Sequence, residues 1–186
     1  VGYEAATAVT TAADVDAFGA FALNSNTTGT RNVGLGRSAL QVNTTASDNV
    51  AVGHEALKLN TGSDNTAVGS LALDANTTAA FNTAVGFRSL SANTTGTPNT
   101  ALGGDALREN TTGGNNVAVG SGALLSNTTA SNNTAVGRSA LLSNTTGASN
   151  TAVGRHSLRS NTTGIHNTAF GANTLDANTT ADRNTA

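Results

Sequence analysis

Three histidines, eleven acidic and nine basic residues supply the acid–base and metal-ligating chemistry of this 186-residue chain, which contains no Cys, Met or Trp. A metal site needs ligands grouped at short, regular spacing. His54, His156 and His166 have neither an HExxH pattern nor clustered carboxylates beside them, and they read as solvent-facing side chains. Glycoside hydrolysis needs two carboxyl groups facing one bond. The acids that come nearest to this, Asp74, Asp105, Glu109 and Asp176, are dispersed along the chain. The sequence also lacks the GGxGxDxxx nonapeptide of calcium-bound β-rolls. Gly113-Gly114 has no Lys after it and no strand-to-helix context, so it is not a phosphate loop. These residues assign no catalytic, metal or cofactor site, and the expectation is a protein that is not an enzyme.

The other residues with chemical potential are the Asn-x-Thr acceptors: Asn26, Asn43, Asn76, Asn93, Asn110, Asn127, Asn144, Asn161 and Asn178. They admit three readings. They could be turn residues and ladder formers, since Asn tolerates left-handed backbone and Thr hydroxyls satisfy corner groups. They could carry a column of glycans. Alternatively, the Thr rows could present a regular hydroxyl array to ice or surface carbohydrate.

What positions all these residues is a tandem repeat. Counting the Asn of NTAVG as position 1, units start at 15, 32, 49, 65, 82, 99, 116, 133, 150 and 167, after a partial unit at 1–14 and before a stub at 184–186. The period is 17, except in the 16-residue unit 49–64, where Asn60-Thr61-Gly62 replaces Asn-Thr-Thr-Gly. The array leaves no room for a second domain, and the opening Val1-Gly2-Tyr3, in mid-pattern, suggests a fragment of a longer protein. Position 5 is Gly in every copy, among them Gly36, Gly53, Gly69, Gly86, Gly103, Gly120, Gly137 and Gly154. Position 9 is Leu from Leu23 to Leu175, position 4 is Val, Leu or Phe, and positions 3 and 8 stay small. Positions 6, 7, 10, 11, 16 and 17 vary, as solvent-facing sites do. The chain therefore reads as a stack of equivalent units with a fixed inside and a free outside.

Seventeen residues are too few for a helical repeat and suit one coil of a β-solenoid, so the expected fold is all-β, a parallel β-roll or β-helix. Positions 2 to 4 make a short strand closed by Gly, which supplies positive φ or close backbone approach at a corner. Asn at positions 1 and 12 should stack coil on coil as amide ladders. At about 4.8 Å per coil the rod would be roughly 50 Å long. The expected core is Val52, Leu57, Val68, Leu73, Val85, Leu90, Val119, Leu124, Val136 and Leu141. One alternative stays open: positions 5, 8, 9 and 12 have helical spacing, which would give each coil a strand plus a short helical turn. If that segment is instead extended, Ala at 8 and Leu at 9 point to opposite faces, and burying both calls for association of chains, most simply three. Register predicts cross-coil pairs Arg88–Asp105, Lys58–Asp74 and Arg159–Asp176, and a column of Asp14, Arg31 and Asp48.

The unit NTAVGRSALLSNTTGAS at 133–149 resembles the repeats of long tail-fibre-domain proteins of phages and environmental bacteria, over essentially the whole chain. The strand NTAVG, with NVAVG at 49–53 and 116–120, is also similar to the SVAIG core of YadA-type trimeric autotransporter adhesin heads. That resemblance implies a trimeric left-handed parallel β-roll in which the aliphatic pair faces the coil interior and the Ala approaches the other chains. It also implies an extracellular location, at a cell surface or on a virion.

A net charge of −2 and nine dispersed basic residues leave no basic track for nucleic acid, and no apolar run approaches the roughly 20 residues that span a bilayer. The function expected from residues and resemblance together is the structural shaft of an extracellular adhesive or tail fibre. It would be a homotrimer or filament with a surface glycan or receptor as partner and no cofactor. The alternatives are an ice- or glycan-binding solenoid and a self-assembling filament.

Overall fold

The computed structural model describes residues 2–186; Val1, in the partial first unit, lies outside them. Each coil contributes one short strand: β1 (Val15–Phe18), β2 (Asn32–Leu35), β3 (Val50–Val52), β4 (Thr66–Val68), β5 (Thr83–Val85), β6 (Asn99–Leu102), β7 (Asn116–Val119), β8 (Thr134–Val136), β9 (Thr151–Val153) and β10 (Thr168–Phe170). They form one parallel sheet in chain order. The register is the sequence repeat itself, with Thr83 beside Thr100, Ala84 beside Ala101 and Val85 beside Leu102. The chain is an all-β solenoid of 17-residue coils with no helix among the described residues.

Strand side chains alternate between faces, and in β6 Asn99 and Ala101 are buried while Leu102 is exposed. This corrects the core read from the sequence. Leu57, Leu73, Leu90, Leu124 and Leu141 are fully buried. Val52, Val68, Val119 and Val136 are only half-buried and Val85 is exposed, because position 4 faces outward with position 2. Ala at position 3 takes the inner place because Leu at position 9 reaches across the coil to meet it. In the one coil with Gly at position 3, a Cβ on Gly34 would lie 3.1 Å from Leu23 Cδ1, so nothing larger than Ala fits. The orientation implied by the adhesin resemblance is thus reversed: the aliphatics face out and the Ala faces in.

The helical spacing of positions 5, 8, 9 and 12 has a different cause. Two tight turns follow one another, Ala106 N–H donating to Gly103 O at 3.2 Å and Asn110 N–H to Leu107 O at 3.1 Å. The backbone changes hand between them. The ten leucines at position 9 all have φ between +49° and +52°, a region bulky side chains rarely enter. Ala at 8, by contrast, is on the ordinary side of φ. The flip of hand turns both side chains inward, so Ala106 and Leu107 are both buried within one chain. Burying positions 8 and 9 therefore needs no neighbouring chain, contrary to the inference from an extended segment.

Backbone donors go to the neighbouring coils in both directions. Leu107, Glu109 and Thr111 N–H groups donate to Ala123, Leu125 and Thr128 of the next coil, at 3.0, 3.1 and 2.8 Å. Those of Gly103 and Asp105 donate to Val85 and Phe87 of the preceding coil, at 2.7 and 2.9 Å. The position 5 glycines meet both expectations, with φ from +126° to +141° between Gly19 and Gly171. They also stack on each other: a Cβ on Gly86 would sit 2.6 Å from the carbonyl carbon of Gly103. Gly86→Ala is therefore expected to cost at least about 1–3 kcal/mol, seen as a lower urea midpoint. Ser121→Ala, on the exposed face, should stay within about 0.5 kcal/mol.

Candidate functional site

The repeated polar residues converge on the interior of each coil. Asn at position 1 and Asn at position 12 are both buried, Asn99 being 2% and Asn110 0% exposed. In coil 99–115 both Nδ2 groups donate to the same carbonyl, that of Gly113 at position 15, at 2.9 and 3.0 Å. Two ladders then run along the rod. In the first, the Oδ1 of each position 1 Asn accepts the backbone N–H of the next one at 2.8–3.1 Å, without a break from Asn32 to Asn184. In the second, each position 12 Nδ2 donates to the Oδ1 one coil back at 2.7–3.1 Å, from Asn43 to Asn26 and then from Asn76 through Asn178.

This geometry removes the glycosylation reading. Asn26, Asn43, Asn76, Asn93, Asn110, Asn127, Asn144 and Asn161 are fully buried. Asn178, half-buried in the last full coil, is bonded in the same way. From Asn43 onward the nitrogen that would carry a glycan spends both hydrogens, one on its own coil and one on the coil before it, and Asn26 Nδ2 is buried and bonded to Gly29 O at 2.9 Å, so a glycan there is incompatible with this fold.

The threonines divide into three columns with different roles. At position 13 the hydroxyl donates to the position 13 carbonyl of the next coil, as from Thr111 to Thr128 at 3.0 Å. At position 14 the side chains, such as Thr95, Thr112 and Thr129, are exposed and their hydroxyls bond to no other group among the described residues. At position 2, Thr66, Thr83, Thr100, Thr134, Thr151 and Thr168 also carry unpaired hydroxyls, on the outer face of the sheet. There they alternate with the aliphatics of position 4, and from β2 to β10 that face carries no charge.

The titratable residues lie on the outside. No group of three or more His, Asp or Glu able to hold a metal occurs among the described residues. His54 and His166 are exposed and His156 half-buried, and His54 Nε2 lies 3.3 Å from Arg37 Nη1. Three of the four acids singled out above pair with cations. Asp105 Oδ1 is 2.9 Å from Arg88 Nε, Asp176 Oδ1 is 3.1 Å from Arg159 Nε, and Glu109 meets Arg108. In the position 17 column, Arg31 holds Asp48 through two bonds of 2.6 and 2.8 Å. That contact keeps the Asp48 carboxyl below its ordinary pKa. The expected Lys58–Asp74 pair does not form, because Lys58 turns to Glu55 in its own coil at 3.1 Å. Asp74 Oδ1 is left buried with no hydrogen-bond partner.

Neither the shared position 15 carbonyl nor the split between position 13 and position 14 was legible in the sequence, since adjacent identical threonines carry no mark of which hydroxyl turns to the next coil.

Burial raises the Asp74 pKa above its ordinary value, with Glu55 adding to the effect and Lys58 opposing it. A carboxyl raised on folding binds more protons folded than unfolded between the two pKa values. Its contribution to stability is therefore lost as pH rises from about 4. Asp74→Asn is expected to raise the thermal midpoint at pH 7 relative to pH 4, measured against the parent chain. An equal change at both pH values would contradict this assignment.

No family model, curated protein or solved structure matches this chain.

Proposed function

We propose that the chain is a structural, non-enzymatic shaft segment of an extracellular adhesive or tail fibre, displayed at a cell surface or on a virion and built from several parallel copies, most simply three. The observation that carries this reading is the use made of the repeated residues. Positions 1, 3, 5, 8, 9, 12 and 13 are held nearly constant and join coil to coil, whereas the outer positions 6, 7, 10, 11, 16 and 17 change from unit to unit. Such an array behaves as a one-dimensional stack, in which added coils add length and nearest-neighbour bonding. Its parallel sheet has free edges only at the first and last strands.

The outer sheet face supplies the contact between copies in this reading. It is uncharged over nine strands, and it exposes Leu35, Val85, Leu102 and Val117 by 37–39% and Phe170 by 75%. Extended apolar faces of this kind mark interaction sites. A surface glycan or receptor is the partner that such a fibre would reach.

The unpaired hydroxyls at positions 2 and 14 favour a second reading, in which the same rows order water or sugar hydroxyls at an ice or glycan surface.

Sedimentation distinguishes these readings. Three copies of the 18.3 kDa chain give about 55 kDa, and Leu102→Glu on the outer face should reduce this to one chain without changing the circular dichroism spectrum. A parent chain of 18.3 kDa showing thermal hysteresis would replace the shaft with the ice-binding reading, and an open-ended mass distribution would indicate a filament.

A further inference from the structure

We propose that the junction between coils 32–48 and 49–64 is a built-in joint, the place where the rod opens or bends first. The proposal rests on coil-to-coil bonding alone and stands whichever function is correct. Coil 49–64 is the unit shortened to Asn60-Thr61-Gly62, and the missing Thr falls on the wall where the second Asn ladder and the position 13 column run.

Three coil-to-coil bonds that recur elsewhere are lost at this one junction. Asn60 Nδ2 turns to Gly62 O of its own coil at 2.6 Å and does not reach Asn43. Asn43 Oδ1, on a fully buried side chain, is left without a donor. The N–H and the hydroxyl of Thr44 find no carbonyl in the next coil, whereas both groups of Thr27 reach Thr44 O, at 2.8 and 3.0 Å. Within its own coil Asn49 Nδ2 also loses the position 15 carbonyl and takes Ser47 O, at the end of the preceding coil, at 3.1 Å instead. No other side chain donates to Asn43 Oδ1, and a buried polar group without a partner is among the costlier features of a folded chain.

The fault is confined to one wall and one direction. On the sheet side the same two coils stay joined, Val33 N–H donating to Asn49 O at 2.9 Å and Gly53 N–H to Leu35 O at 2.8 Å, while Leu40 and Val42, on the wall that runs into Asn43, donate to Ala56 O at 3.1 Å and Lys58 O at 3.0 Å beside the fault. Towards the next coil, coil 49–64 is fully bonded, with Thr61 N–H to Thr77 O at 2.7 Å and Asn76 Nδ2 to Asn60 Oδ1 at 2.7 Å. The two coils are therefore held across this junction by the sheet, by the first Asn ladder (Asn49 N–H to Asn32 Oδ1 at 3.1 Å) and by Asp64 N–H to Ser47 O at 3.2 Å, and are released where positions 12 and 13 lose their partners. In a stack with nearest-neighbour coupling, the weakest interface sets where the array opens. The sheet wall is the pivot.

Residue-resolved amide hydrogen exchange on the full chain tests this. Leu40 and Val42 are hydrogen-bonded across the joint, and their amides should exchange at least about tenfold faster than the equivalent Leu90 and Ala92. They should also exchange faster than Leu23, which lies nearer the chain end, so that simple fraying gives the opposite order. Inserting a Thr between Thr61 and Gly62 should bring Leu40 and Val42 level with Leu90 and Ala92. Deleting Thr95 should create a second joint, seen as faster exchange at Leu73 and Ala75. Leu40 and Val42 exchanging as slowly as Leu90 and Ala92 in the parent chain would overturn the proposal.

Discussion

Each coil from residue 32 to residue 166 must satisfy two buried asparagines, and that constraint fixes the rest of the architecture. A primary amide has two donors and an acceptor, and leaving one of them unpaired inside the rod costs about 1–3 kcal/mol. The coil provides only one nearby carbonyl, that of position 15, and the remaining partners lie in the coils above and below. Register between coils is therefore set by hydrogen-bond satisfaction as much as by apolar packing. This suits a chain whose interior apolar side chains are one Leu and two Ala or smaller residues per coil.

The same constraint explains the unusual backbone. To bring Leu and its preceding Ala both inside while the chain turns from the sheet towards Asn at position 12, the backbone changes hand, placing Leu at φ near +50°. Left-handed backbone costs a bulky residue about 1–2 kcal/mol. Full burial of a Leu side chain returns a comparable or larger amount, about 1.5–3 kcal/mol. Gly at position 5 meets a stricter demand, since its neighbour one coil away leaves no space for a Cβ at all. Leu is thus tolerated in its strained conformation by virtue of what it fills, and Gly is required by what it lacks.

How much of this was legible in the sequence depends on the kind of signal. The period, the corner glycines, the strand at positions 2 to 4 and the Asn ladders follow from comparing one unit with the next, because structural demand holds a residue constant while solvent exposure lets it vary. The direction of the strand was misread: Val at position 4 looked like core because it is aliphatic and recurrent, yet Leu at position 9 occupies the space that Val would need. The helical spacing at 5, 8, 9 and 12 misled for a related reason. A change of backbone hand places neighbouring residues on one side just as a helix places residues three and four apart, and Leu gives no warning that it will adopt left-handed φ. Among candidate sites, the Asn-x-Thr pattern matched a modification signal, and only burial of its nitrogen separates that from a ladder. Position 14 stays Thr without any bond inside the chain that explains it, and it is the repeated surface feature that coil stacking leaves over.

The central claim is that buried side-chain amides lock coil to coil, and hydrogen exchange of those side chains tests it most directly. In deuterated water, the Nδ2 hydrogens of Asn93, Asn110 and Asn127 should persist as long as the backbone amides of the buried sheet residues Ala101 and Ala118, while those of the exposed Asn132 vanish at once. Exchange of the ladder amides as rapid as that of Asn132 would contradict the account, since it would mean that the coils are held by backbone pairing and packing alone.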